Sequence, residues 1–242
     1  WQRGLVSGSE GNISVKLPDG RLLVTPSGVS KGFMEPGQVV LCDKSGRPLE
    51  GSNPTSELPL HLEVYRRRPD VGAVVHAHPP CATAFAAARM DLESCFLPEA
   101  VVLLGRVSCA EYATPWTDEL AASIRPYVER SDAVLLANHG AVTWADSLEL
   151  AWQKMETLEA TARIELCGRM LGGVRQLESE RIDRLTDLRR QKGISGRVAA
   201  CRPAGNAVRM ESDKASSLVD LVAAQVVAAL TGENPSSERQ ER

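Results

Sequence analysis

The chain has 242 residues and nearly balanced charge, 28 Lys plus Arg against 31 Asp plus Glu, for a net of -3. That size buries one good core, so a single domain of about 200 residues with a tail fits better than two equal halves. The mixed charge argues against a general nucleic-acid binder, and no apolar stretch is long enough to cross a membrane. The six cysteines are scattered through apolar segments without a disulfide framework, which predicts small core residues in a reducing cytoplasm.

In chain order, Trp1 to Leu5 reads as the last turn of a helix ending in a glycine cap, which implies a helix before it. Residues 11–50 alternate short apolar runs (Asn12 to Val15, Arg21 to Thr25, Val39 to Cys42) with Gly, Pro and Asp, the pattern of an antiparallel meander. Leu58 to Arg67 predicts a helix ended by Pro69, with Arg66, Arg67 and Arg68 as its basic end. A strand follows from Val71 to His78, then helices over Pro80–Met90 and Thr117–Glu129, a buried strand over Ala133–Ala137, and a long helix from Ser147 to Leu171. Hairpin-paired strands interleaved with covering helices predict an α/β fold of three layers, α/β/α, around a largely antiparallel central sheet.

The chemistry centres on histidine. Side chains two apart on a strand share a face, so His76 and His78 can reach one ion, and His139, before Gly140, ends an apolar run in a tight turn. Three imidazoles with an open position suit catalytic zinc, with another divalent metal such as Mn2+ as the alternative, whereas structural zinc sites are cysteine-rich and closed. Thr55, Ser56 and Glu57 open the first helix, where hydroxyls and N–H groups favour an anion and Glu57 adds a carboxylate for ligation or proton transfer. Asn12 and the turn containing Ser27 and Gly28 offer similar donors for a phosphate. His61 lies four residues after Glu57. A ligand pair E-x-x-x-H is open to it, but three other histidines already meet the usual ligand count, which favours a structural role.

Gly11-Asn-Ile-Ser14, Thr25-Pro-Ser-Gly28, Thr55-Ser-Glu57, His76-Ala-His78, Cys109-Ala-Glu-Tyr-Ala-Thr114 and Asn138-His-Gly140 together resemble the class II aldolase/adducin family over roughly residues 1–175. The resemblance implies a zinc-dependent aldolase that cleaves a ketose 1-phosphate to dihydroxyacetone phosphate and lactaldehyde. His76, His78, His139 and Glu57 would hold the metal, Glu57 would be the base, and Asn12, Ser27, Gly28, Thr55 and Ser56 would take the phosphate. It also implies a homotetramer with sites at subunit interfaces. One feature departs from the aldolases: the tyrosine that protonates the aldehyde oxygen is replaced by the segment Phe96-Leu-Pro-Glu99, leaving Glu99, Tyr112 or water as the acid. Dehydratase and decarboxylase chemistry on the same cage therefore stays open. Epimerase is disfavoured because no histidine follows His139, and a metal-free adducin-like scaffold is disfavoured because every ligand is present.

The catalytic domain is expected over 1–193, a flexible linker over 194–215, and an amphipathic helix with a polar tail over 216–242. That helix resembles encapsulation peptides, implying a shell or cargo partner in a bacterial microcompartment, with packing on the chain's own subunit as the alternative.

Overall fold

Eight strands form one sheet in the computed structural model, which describes residues 1–201. In chain order they are β1 (Asn12–Lys16), β2 (Leu22–Val24), β3 (Val40–Cys42), β4 (Pro48–Glu50), β5 (Ala73–Ala77), β6 (Cys109–Ala110), β7 (Ala133–Leu136) and β8 (Gly140–Ala145). The spatial order is β4-β3-β2-β1-β5-β8-β7-β6, antiparallel throughout except for the parallel β6–β7 edge. The helices are α1 (Leu58–Arg67), α2 (Pro80–Ala87), α3 (Pro98–Leu103), α4 (Asp118–Ser123), α5 (Arg125–Val128), α6 (Leu148–Met170) and α7 (Ser179–Gln191). The expected layered, largely antiparallel architecture is the one found.

The central strands have a core on each face. On one side Ala73, Val75 and Ala77 of β5 join Ala133, Leu135, Ala141 and Ala145 against α2 and α6. Five of these are alanines, and small side chains let α6 lie close along the sheet. On the other side Val74, Val134, Val142 and Trp144 meet Leu60 and Val64 of α1 and Ile124 and Val128 around α5. Burying each such side chain contributes roughly 1.5–3 kcal/mol, so the doubly covered strands are the stable heart of the sheet. The histidines lie at one end of them.

Several expectations need correction. The helix expected over Thr117–Glu129 is two short ones meeting at Ile124, because Pro126 cannot donate into a continuous helix. Strand β8 and helices α3 and α7 were not anticipated. Residues 195–201 of the expected linker are bound to the domain: Arg197 N donates to Asp132 (2.8 Å), Arg189 donates to the carbonyls of Ser195 and Gly196, and Gly105 bridges Ala199. The cysteines are not all free, since Cys95 and Cys201 form a disulfide, and Cys167 is exposed rather than in the core. The expected helix over 216–230 lies outside the described residues. None of the described helices is long and apolar enough to cross a membrane.

Candidate metal centre

Strand period places the first two histidines. His76 pairs with Val142 on β8 and with Asn12 on β1, and His78 follows two residues on. His139 sits in the turn joining β7 to β8, where Asn138 is left-handed (φ 57°) and Gly140 has no room for a side chain. A Cβ at Gly140 would fall 2.5 Å from the Ala77 carbonyl oxygen and 2.7 Å from His78 Cδ2, so glycine there is what lets the turn carry His139 up to the other two.

The three rings form a nearly equilateral triangle with centroids 5.0, 4.8 and 4.9 Å apart. One ligand atom from each lies within 4.8 Å of the others. Glu57, at the N-cap of α1, closes the group: its Oε2 is 3.3 Å from His76 Nε2 and its Oε1 is 3.3 Å from His139 Nε2. His76 Nδ1 faces the Ala141 carbonyl at 2.9 Å and must donate to it, which leaves His76 Nε2 as a lone pair. That lone pair faces His78 Nε2 at 3.2 Å and a carboxylate oxygen at 3.3 Å. The lone pair and the carboxylate oxygen, both acceptors, repel at this distance unless a cation lies between them. A tetrahedral ion with 2.0–2.1 Å bonds spaces its ligands about 3.3 Å apart, so the donor set fits a divalent metal.

Electrostatics agree with that reading. Burial depresses His76 and His78 below the ordinary imidazole pKa, so both are neutral, the form that ligates. Burial also works to raise Glu57, but contact with His139 and the Asn12 amide outweighs it and holds the carboxylate at about 2, ionised at neutral pH.

A cleft of about 520 Å³ opens over the cage. Asn12, Ser27, Gly28, Thr55, Ser56, Glu57, His78 and His139 all line it, while His76 is buried beneath. The sequence reading missed Glu10, Lys31 and Trp116, which line it too. Lys31 Nζ donates to the carbonyls of Ser9 (2.7 Å) and Val29 (2.9 Å) and is the one cationic side chain among the described residues lining the cleft. Glu10 is occupied locally. Its carboxylate accepts from Ser7 N and from Gly8 N (2.7 Å), and although burial works to raise its pKa, these donors hold it at about 2. Trp116 is 76 % exposed in left-handed backbone (φ 65°), unusual for a bulky residue. Glu99 and Tyr112, considered from sequence as acids, do not line the cleft.

Residues 1–166 match the family described as the Class II Aldolase and Adducin N-terminal domain, and the chain belongs to that family. It is 37% identical over 168 residues to the 3-oxo-tetronate 4-phosphate decarboxylase of Escherichia coli K12, covering 68% of this chain and 79% of that protein. It is 38% identical over 164 residues to the L-fuculose phosphate aldolase of Methanococcus vannielii, covering 68% of this chain and 88% of that one. A solved L-fuculose 1-phosphate aldolase superposes with a TM-score of 0.72 at 33% identity, over 77% of this chain and 89% of the other. The chain is accordingly an enzyme of the lyase type.

Proposed function

We propose that the chain breaks a carbon–carbon bond in a small phosphorylated 3-oxo sugar acid, releasing CO2. The observation that carries this is the count of carboxylates free to act. Retro-aldol cleavage needs one base to take the proton of the hydroxyl that becomes an aldehyde and an acid to protonate the carbon left behind. Decarboxylation needs only the second, because CO2 leaves without a proton. Among the described residues of one chain, the cleft has one carboxylate at the cage, Glu57, while Glu10 is tied into its own loop and none of the lining residues is a tyrosine. The relatives named as 3-oxo-tetronate 4-phosphate decarboxylases support the same reading.

Zinc is the metal we propose, held by His76, His78, His139 and Glu57. When bound it would supply the Lewis acidity that stabilises an enediolate. Ser27, Gly28, Thr55 and Ser56 would take the phosphate through hydroxyl and N–H donors, with Lys31 as countercharge. Once the substrate loses CO2, the electron pair of the broken bond rests on carbon conjugated with the carbonyl. Glu57, having taken up a proton from water in the open cleft, would deliver it to that carbon, giving dihydroxyacetone phosphate from 3-oxo-tetronate 4-phosphate.

Aldol cleavage of a ketose 1-phosphate is the second reading. The identity to L-fuculose phosphate aldolases favours it, and it passes through the same three-carbon enediolate. Incubation with 3-oxo-tetronate 4-phosphate and, separately, L-fuculose 1-phosphate decides between them. Dihydroxyacetone phosphate with CO2 from the first supports decarboxylation, whereas turnover of the second alone, with an aldehyde, establishes the aldolase. A homotetramer rests on the family resemblance and is tested by solution mass.

A further inference from the structure

Helix α1 and strand β1 are joined by polar contacts whose periods match. Four residues of helix rise about 6 Å and two residues of strand about 6.6 Å, so Glu57, His61 and Tyr65 can face Asn12 and Ser14 in step. Asn12 Nδ2 donates to Glu57 Oε2 (2.8 Å), and Asn12 Oδ1 lies 2.6 Å from His61 Nε2. Ser14 Oγ lies 2.7 Å from His61 Nδ1 and 2.8 Å from the Tyr65 hydroxyl. His61, Asn12 and Ser14 are all buried, His61 completely.

The contact between Asn12 and Glu57 sets the direction of the other protons. With its NH2 donating to Glu57 Oε2, the Asn12 amide turns its oxygen toward His61. That oxygen needs a donor, so His61 carries its proton on Nε2. Nδ1 is then a lone pair, and Ser14 donates to it. Burial depresses His61 to about 4, which keeps the ring neutral and the pattern fixed at neutral pH.

We infer that His61 is a positioning residue that holds the Asn12 carboxamide with its NH2 on Glu57 and thereby fixes the orientation of the carboxylate. Without the Nε2–H, nothing holds the Asn12 oxygen from behind, and the amide is free to swing away from Glu57, which loses the donor that fixes it. The inference rests on Glu57 as the base of the proposed reaction. His61 does not line the cleft and is not part of the group formed by His76, His78 and His139.

The test uses the metal-loaded full chain. His61→Leu removes the donor, and His61→Gln restores an N–H at nearly the same reach. The expected result is one metal per chain in both, a kcat about tenfold lower in His61→Leu with KM within twofold, and recovery to within about threefold in His61→Gln, as for an outer-shell partner. His61→Leu in an Asn12→Ala background should cost nothing further. Equal kcat in His61→Leu and the parent, or no rescue by His61→Gln, overturns the inference. Nitrogen-15 NMR of the parent gives a readout that needs neither a variant nor a substrate. A proton on Nε2 supports the inference, and a proton on Nδ1 defeats it even if His61→Leu fails to fold.

Discussion

Two buried polar clusters lie in this fold, and they differ in whether their charges are complete. Around Asp132, a carboxylate 1 % exposed, Arg68 approaches at 2.9 Å, Lys154 Nζ donates at 2.6 Å and Arg197 N at 2.8 Å, while Arg68 also pairs with Asp70 at 2.8 Å. Two cations meet two carboxylates, so the charges of the set balance within the protein. At His76, His78 and His139 only His76 is fully buried, and three ring nitrogens converge on one another and on a single carboxylate. The first cluster joins parts of the fold, and the second is complete only with a cation. A buried polar group thus signals function when its own neighbours leave it short of a partner of opposite kind.

The largest effects should come from breaking the open cluster. His76→Ala, His78→Ala and His139→Ala should each lose stoichiometric metal by elemental analysis and lower turnover by more than about a hundredfold, beyond what loss of an outer-shell partner costs. Glu57→Gln should keep most of the metal while kcat falls by about 10²- to 10⁴-fold. Asp132→Ala should act on stability instead. Leaving Lys154 uncompensated should cost about 3–5 kcal/mol in urea unfolding, with metal per folded chain unchanged. A metal-depleted Asp132→Ala protein would show that the two clusters are not independent.

A smaller effect separates them by pH. The folded-state pKa of His61 is about 4, below its ordinary 6.5, so between these values the unfolded chain binds more protons. Its stabilising contribution is present above 6.5 and is lost as pH falls toward 4, a drop of about 3 kcal/mol. His61→Gln should therefore flatten the fall in urea midpoint between pH 7 and 4.5, and an unchanged slope would place the titration elsewhere. Smallest should be Lys31→Met, which raises KM for the phosphorylated substrate about tenfold through loss of one charge-assisted contact, with Lys31→Arg recovering part of it.

What the sequence showed of all this follows from the range of the signal. The two histidines of β5 and the His-Gly turn were legible because period two and the need for glycine are local. Strand β8 was not, because Gly140 to Ala145 is buried at every position and shows no alternation to read. Lys31 and Trp116 enter the cleft on loops, and a loop's destination is set by what it packs against rather than by its own residues. The pairing of Cys95 with Cys201 spans 106 positions and lacks any local mark. His61 could be placed on the face of Glu57, but its partners Asn12 and Ser14 came from a strand more than forty residues away.

Trp116 gives the cleft a consequence of its own. Its indole stands in solvent at the mouth while Trp144 is sealed in the core, so the two should emit at different wavelengths, the exposed one further to the red. A ligand that fills the cleft as far as Trp116 would displace water from that indole and leave Trp144 alone. The part of the emission change that disappears in Trp116→Phe would then titrate ligand in the cleft without any label.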